Sequence, residues 1–199
     1  MERVSIPLVE ERARRIVETA VELAEQGGFE AVRLRDVADQ AGVALGTLYR
    51  RFRSKEELLV AALEQEAEEL ERRLRAHPAR GGSAAQRVTA FFASATRGLC
   101  RRPNVTRAFL RAMTSGEPEV ASTVSRFHER MTLLVTAALR GPGSDGGGEL
   151  APPPSPRERS VAMVLEHVWF SCLVGWAGGL QSQSAVVDQM HDAATLLTS

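Results

Sequence analysis

Apolar residues recur three and four positions apart along almost the whole chain. From about Val9 to Gln26 the repeat is Ala13, Ile16, Val17, Ala20, Leu23 and Ala24. That spacing gathers the six on one face of a helix, and Gly27-Gly28 predicts where it stops. A short second helix follows, with Leu34, Val37, Ala38 and Ala41 at offsets of three, four and seven. It ends at Gly42, which takes a left-handed turn without steric cost. A third helix is expected from near Leu45 to near Phe52. Helix, a turn of about four residues containing glycine, then helix is the spacing of a helix-turn-helix.

The same period continues downstream. A long helix is predicted from Ser54 to about Ala76, with Leu59, Leu63, Ala67, Leu70 and Leu74 on one face. On its other face Glu68, Glu69 and Glu71 each stand four residues before an arginine, at 72, 73 and 75, the register of solvated ion pairs. Further helices are expected at about Ala84 to Arg101, Val105 to Thr114, Glu119 to Arg140, Arg157 to Gln181 and Ala185 to Leu197. Between the helices ending at Arg140 and beginning at Arg157 lies "GPGSDGGGELAPPPSP", residues 141–156, whose glycine and proline content predicts a loop. No stretch alternates with a period of two, so the expected fold is all-α, about nine helices. The expected domains are a three-helix head at residues 1–53 and a larger helical domain at 54–199.

Composition adds limits. With 44% hydrophobic and 25% charged residues the chain is an ordinary globular one. Its 25 basic and 25 acidic residues cancel, so any surface for nucleic acid has to be local. Cys100 and Cys172 have no framework spacing, which favours a reducing cytoplasm over disulfides. Charges at Glu2, Arg3, Glu10, Glu11 and Arg12 interrupt any leader-like apolar run. The most apolar stretch, Val168 to Leu180, is shorter than the ~20 residues of a membrane span, so it is expected to be a buried helix with no membrane partner.

The third helix concentrates the chemistry. At helical spacing Leu45, Leu48, Tyr49 and Phe52 fall on one side, expected to pack inward with the tyrosine hydroxyl at the rim; Gly46, Thr47, Arg50 and Arg51 fall on the other. A small residue that lets backbone approach, a hydroxyl for a phosphate or base edge, and a guanidinium that forks onto guanine suit a DNA groove. Lys55, the one lysine in the chain, opens the next helix. There Ser54 and Glu57 have the spacing of a capping box. A cation at the positive end of the helix dipole is disfavoured unless a phosphate lies between them.

The run "GGFEAVRLRDVADQAGVALGTLYRRFRSKEELLVAAL", residues 27–63, resembles the N-terminal domain of the TetR family of bacterial transcriptional repressors. That resemblance implies homodimers of all-helical subunits, each with a DNA-binding head and a domain that binds a small effector and dimerises. Carried over by position, the DNA contacts are Arg33, Arg35, Leu45, Gly46, Thr47, Tyr49, Arg50 and Lys55. Two places depart from the family's pattern: Val32-Arg33 stand ahead of the second helix, where many members have a hydroxyl residue, and Ala44-Leu45 open the third, where many have a Ser-Lys pair. Ala44 offers no capping oxygen and Leu45 no charge for a phosphate; a thymine methyl is the alternative contact for Leu45. "AVRLRDVADQAGVALGTLYRRF" with the later "HVWFSCLVGW", residues 167–176, is similar to the cholesterol-catabolism repressors of actinobacteria, which implies steroid metabolites, notably coenzyme A thioesters, as effectors.

From Val161 to Leu180 only Glu166, His167 and Ser171 are clearly polar, so that helix needs cover on every side. Together with the stripe Val186, Met190, Ala193, Ala194 and Leu197 it is the expected homodimer interface. Phe91, Phe92, Phe109, Met113, Phe127, Met131, Trp169 and Cys172 are candidates for an apolar effector cavity. His77, His128, His167 and His191 have no metal-ligand spacing, and neither cysteine has a triad context, so no catalytic residue, metal or cofactor is assigned. Two readings remain open: an effector-controlled repressor acting on double-stranded operator DNA, or a helical small-molecule-binding protein or enzyme whose helix-turn-helix serves a protein contact.

Overall fold

In the computed structural model, residues 6–77, 82–141 and 152–199 are described. Among them every regular element is helical, as the periodicity predicts. The order is α1 (Ile6–Ala31), α2 (Leu34–Ala41), α3 (Leu45–Arg51), α4 (Lys55–Ala76), α5 (Ala84–Cys100), α6 (Pro103–Met113), α7 (Ala121–Arg140), α8 (Pro156–Ala177) and α9 (Gln183–Thr198), with one 3-10 turn (Pro118–Val120) before α7. Most of the predicted loop, residues 142–151, lies outside the described residues.

Local chemistry sets the boundaries. α1 is broken where the glycine pair stands: Gly28 has φ +68°, and a short helical segment carrying Phe29 and Glu30 follows. α2 closes on Gly42 at φ +65°, ψ +39°, whose amide reaches back to the carbonyls of Ala38 and Asp39. α5 and α8 each begin with a full capping box, Ser83 with Gln86 and Ser155 with Glu158. Proline at the first position of α6 and α8 costs no hydrogen bond there.

The chain divides into two compact units, residues 1–66 with 102–125, and residues 67–101 with 126–199. In the first, α6 and α2 pack on α1. Ile16, Ala20, Val37, Leu48, Leu58 and Leu59 make its core, each almost free of solvent. The second is built on α5 and α8 packed against α9. Its interior holds Phe91, Phe92, Met131, Leu165, Trp169 and Met190.

α8, expected to be a buried helix, is covered on only part of its surface within its unit: Met163, Val164 and Val174 are exposed. The apolar run belongs to a 22-residue helix that by length and composition alone would cross a bilayer. It begins with Arg157, Glu158 and Arg159, and it buries Leu165, Trp169 and Leu173 within the second unit. Glu166 is buried with them, only 4% exposed. The acidic face of α4 differs as well. Arg72 pairs with Glu69 rather than Glu68, at 2.5 Å, and Glu68 turns to Arg130 of α7, at 3.0 Å. Arg130 also reaches Glu71, at 2.7 Å, so this face is partly tied down rather than fully solvated.

Candidate nucleic-acid interface

α3 is two turns long, and its seat in the first unit is narrow. Leu48 is fully buried and Phe52, just past the helix end, nearly so. Leu45 and Tyr49, expected to pack inward with them, are 37% and 50% exposed. The four share one side, but Leu48 and Phe52 occupy the edge of that arc facing the core, while Leu45 and Tyr49 stand one step round toward solvent. The exposed row is therefore Leu45, Gly46, Tyr49 and Arg50, with Thr47 half-buried beside it. An Nη of Arg50 donates to Thr47 Oγ1 at 3.2 Å, which holds the guanidinium along the helix. A Cβ on Gly46 would meet no heavy atom within 4 Å. Ala44 caps α3 without any side-chain bond. Arg33 and Arg35, around the start of α2, are exposed.

At the start of α4 the cap forms in altered shape. Ser54 Oγ accepts from the Glu57 amide at 3.0 Å, as the spacing predicts. The Glu57 carboxylate takes the amide of Arg53, at 2.7 Å, one residue earlier than a capping box requires. Lys55 is not the unpartnered cation its position suggested. Its ammonium lies 3.4 Å from Glu30 Oε2 and 4.0 Å from the centre of the Phe29 ring. Arg111 of α6 reaches the same acid at 2.7 Å and lies over the same ring at 4.2 Å. The neighbouring charge of Lys55 first, then that of Arg111, hold the Glu30 carboxyl below the usual range, so it is ionised at neutral pH. Sequence reasoning missed Phe29, Glu30 and Arg111 because the residues that give them meaning are distant in the chain; no local spacing marks them.

Residues 16–62 match the family described as bacterial regulatory proteins, tetR family, and residues 81–197 match the tetracyclin repressor-like C-terminal domain. The chain belongs to the TetR family. The HTH-type transcriptional repressor KstR of Rhodococcus jostii is 34% identical over 94% of this chain and 82% of its own length. Among solved structures, a TetR transcriptional regulator from Rhodococcus sp. RHA1 superposes with a TM-score of 0.80 at 25% identity, covering 94% of this chain and 96% of that one. FadR of Bacillus subtilis in complex with stearoyl-CoA shares the fold, with a TM-score of 0.66 at 17% identity over 94% and 97% of the two chains. TetR-family proteins are transcriptional regulators, so the enzyme reading falls. Burial pushes Cys100 up to about 11 and also raises Cys172, leaving both protonated at neutral pH.

The residues picked for an effector cavity divide between the two units of this TetR chain. Phe109, buried, and Met113, half-buried, lie on α6 in the first. Phe92, Phe127, Met131, Trp169 and Cys172 are buried in the second. There the Phe92 ring lies 5.4 Å from that of Trp169 with the planes tilted at 48°, and Trp169 Nε1 donates to Thr96 Oγ1 at 2.9 Å. Cys172 Sγ donates to Gln189 Oε1 at 2.8 Å. Two polar features had no sequence signal. His128 Nδ1 lies 2.7 Å from the buried Glu166 Oε1, and the buried Thr136 hydroxyl finds no protein partner. Among the described residues no group of three or more His, Cys, Asp or Glu side chains is placed to hold a metal.

Proposed function

We propose that this chain is a cytoplasmic repressor that binds a pseudo-palindromic operator as a homodimer and is released by a small, largely apolar effector, a lipid or steroid metabolite or its coenzyme A thioester. Residues 1–53 act as the DNA-binding head and 54–199 as the effector-binding and dimerisation part. The observation that carries the reading is the outward row of α3. Leu48 anchors the helix while Leu45, Gly46, Tyr49 and Arg50 stay open to a partner, and Thr47 braces the arginine. Two such helices, one per protomer, enter successive major grooves about 34 Å apart. Arg33, Arg35 and Lys55 hold phosphates and fix the register, while Arg50 reads a base edge.

Dimerisation is supported by α8, whose Met163, Val164 and Val174 are 50%, 42% and 47% exposed, and by Leu196 of α9 at 78%. The effector reading rests on the similarity to KstR, on a fold that in FadR holds stearoyl-CoA, and on the aromatic cluster around Phe92 and Trp169. The same unit also holds a buried hydroxyl without a hydrogen-bond partner, that of Thr136.

The test is titration of duplexes from the intergenic region beside its own gene, at about 50 and about 200 mM salt. Specific binding of two protomers per duplex, weakening steeply with salt, supports the proposal. Arg50→Ala is expected to erase a discrimination of about 1–3 kcal/mol per half-site. Binding that is absent, or insensitive to salt, overturns it.

A further inference from the structure

Glu30 is a carboxylate shared between two cations of different reach. Its Oε1 takes Arg111 at 2.7 Å, and its Oε2 takes Lys55 at the longer 3.4 Å. Phe29 supplies the platform for both, with Lys55 Nζ at 4.0 Å and Arg111 Cζ at 4.2 Å from the ring centre. Glu30 follows the break at Gly27-Gly28, Lys55 is the first residue of α4, and Arg111 sits in the last turn of α6. α6 is fixed in the same unit at its other end as well. Asn104 donates to the Glu25 carbonyl at 3.0 Å, and Arg102 pairs with Glu66 at 2.5 Å.

A negative charge this close to Lys55 opposes a DNA phosphate arriving at the same ammonium. Arg111 relieves that opposition by holding the acid to itself through the shorter of the two contacts. We propose that Arg111, Glu30 and Lys55 form an electrostatic relay in which α6 sets how much positive charge the first residue of α4 offers to the DNA backbone. With Arg111 in place, Glu30 is divided between two cations, and Lys55, held at the longer contact, is only partly neutralised and keeps charge for a phosphate. With Arg111 withdrawn, Glu30 becomes a dedicated counter-ion of Lys55 and competes with the phosphate. Glu30 and Arg111 are thus positioning residues that touch no DNA themselves. The inference rests on the reading of Lys55 as a phosphate contact.

The experiment uses the full chain and a fluorescently labelled random-sequence duplex of about 30 base pairs at about 50 mM salt, where exposed charge effects are least screened. Arg111→Ala is expected to weaken binding about five-fold, and Glu30→Gln to tighten it about two-fold, order-of-magnitude effects for exposed charges near a phosphate. In the double variant the Arg111→Ala loss disappears, because the acid it restrains is gone. Arg111→Lys, which keeps the charge, restores most of the affinity. An Arg111→Ala loss that persists in the Glu30→Gln background overturns the relay, since it then reports a direct contact or a damaged fold. No change with either single variant overturns it too. If Arg111→Ala fails to fold by circular dichroism, Glu30→Gln alone decides: tighter binding supports the relay and unchanged binding overturns it. Lys55→Ala separates the two readings. If it leaves affinity and salt slope untouched, the phosphate contact itself is wrong; if it weakens binding and makes Glu30→Gln silent, the contact stands and the relay with it.

Discussion

Gly46→Ala is expected to make the protein more stable and a worse DNA binder. Glycine inside a helix is less favourable than alanine by about 0.5–1 kcal/mol, chiefly from backbone entropy. Gly46 is the second residue of α3, where the full penalty is not reached, so about 0.5 kcal/mol is the appropriate figure. Nothing in the fold opposes the added carbon, because a Cβ there meets no heavy atom within 4 Å. For a chain of 199 residues that gain corresponds to a Tm about 1–2 °C higher. The fold therefore has no use for a glycine at this position, and the empty space in front of it lies on the exposed row of α3. If that row enters a major groove, the methyl group separates backbone from DNA in both half-sites, and affinity should drop about ten-fold or more, some 1.4 kcal/mol. Differential scanning fluorimetry and fluorescence anisotropy on the intergenic duplex read the two effects separately. A raised Tm with unchanged affinity would refute the placement of α3 against the groove, and a lowered Tm would refute the account of why the site is empty.

Two further outcomes follow from ion pairs in the second unit. Arg140 first, and the Ser155 amide next, hold the Glu158 carboxyl at about 2, so its contribution to stability is present above the ordinary carboxyl range and lost as pH falls through about 2. A shift from 4.5 to about 2 is worth at most about 3 kcal/mol, and solvent screening of this surface pair reduces it to about 1 kcal/mol, so Glu158→Gln should lower urea stability at pH 7 by that much and converge on wild type near pH 2. The hydrogen bond to Glu166 raises His128 above its ordinary value of 6.5, so the pair stabilises the fold below that pH and the benefit is lost as pH rises through the folded value. An imidazole titration followed by NMR should place the midpoint above 6.5 in wild type and lower in Glu166→Gln.

The periodicity of apolar residues made the helices legible, and glycines made the breaks legible, because both act over a few residues. The break in α1 falls at Gly27-Gly28 and α2 ends at Ala41 beside Gly42, positions that a short window contains; the helical segment that continues to Ala31 carries no such mark. Which side of α3 is buried was less legible. A two-turn helix has four residues within the apolar arc, and only its packing in the first unit, against α2 in particular, decides that Leu48 and Phe52 take the interior. The pairing of Lys55 was not legible at all, since Glu30 stands 25 residues earlier and their encounter is made by the tertiary fold. The same holds for His128 and Glu166, 38 residues apart. For effector residues, periodicity marks a side chain as apolar without saying which interior it joins, which is why Phe109 and Phe92 looked alike and lie in different units.

Zero net charge shapes how such a head finds DNA. A neutral chain has no whole-molecule field to draw it in from a distance, so attraction acts only within about 10 Å of the basic patch at ordinary salt. Within that range the count of free cations matters more than the count of basic residues. Arg51 lies 6.0 Å from the Phe52 ring, Lys55 is shared with Glu30, and Arg50 is braced by a neutral hydroxyl. On the proposed reading Arg50 keeps its full charge for the groove, whereas Lys55 stays shared with an acid. A backbone contact that is partly restrained lowers affinity for every sequence alike, while an unrestrained base contact keeps its discrimination. On the proposed reading of these residues, the arrangement favours selectivity over tight general binding.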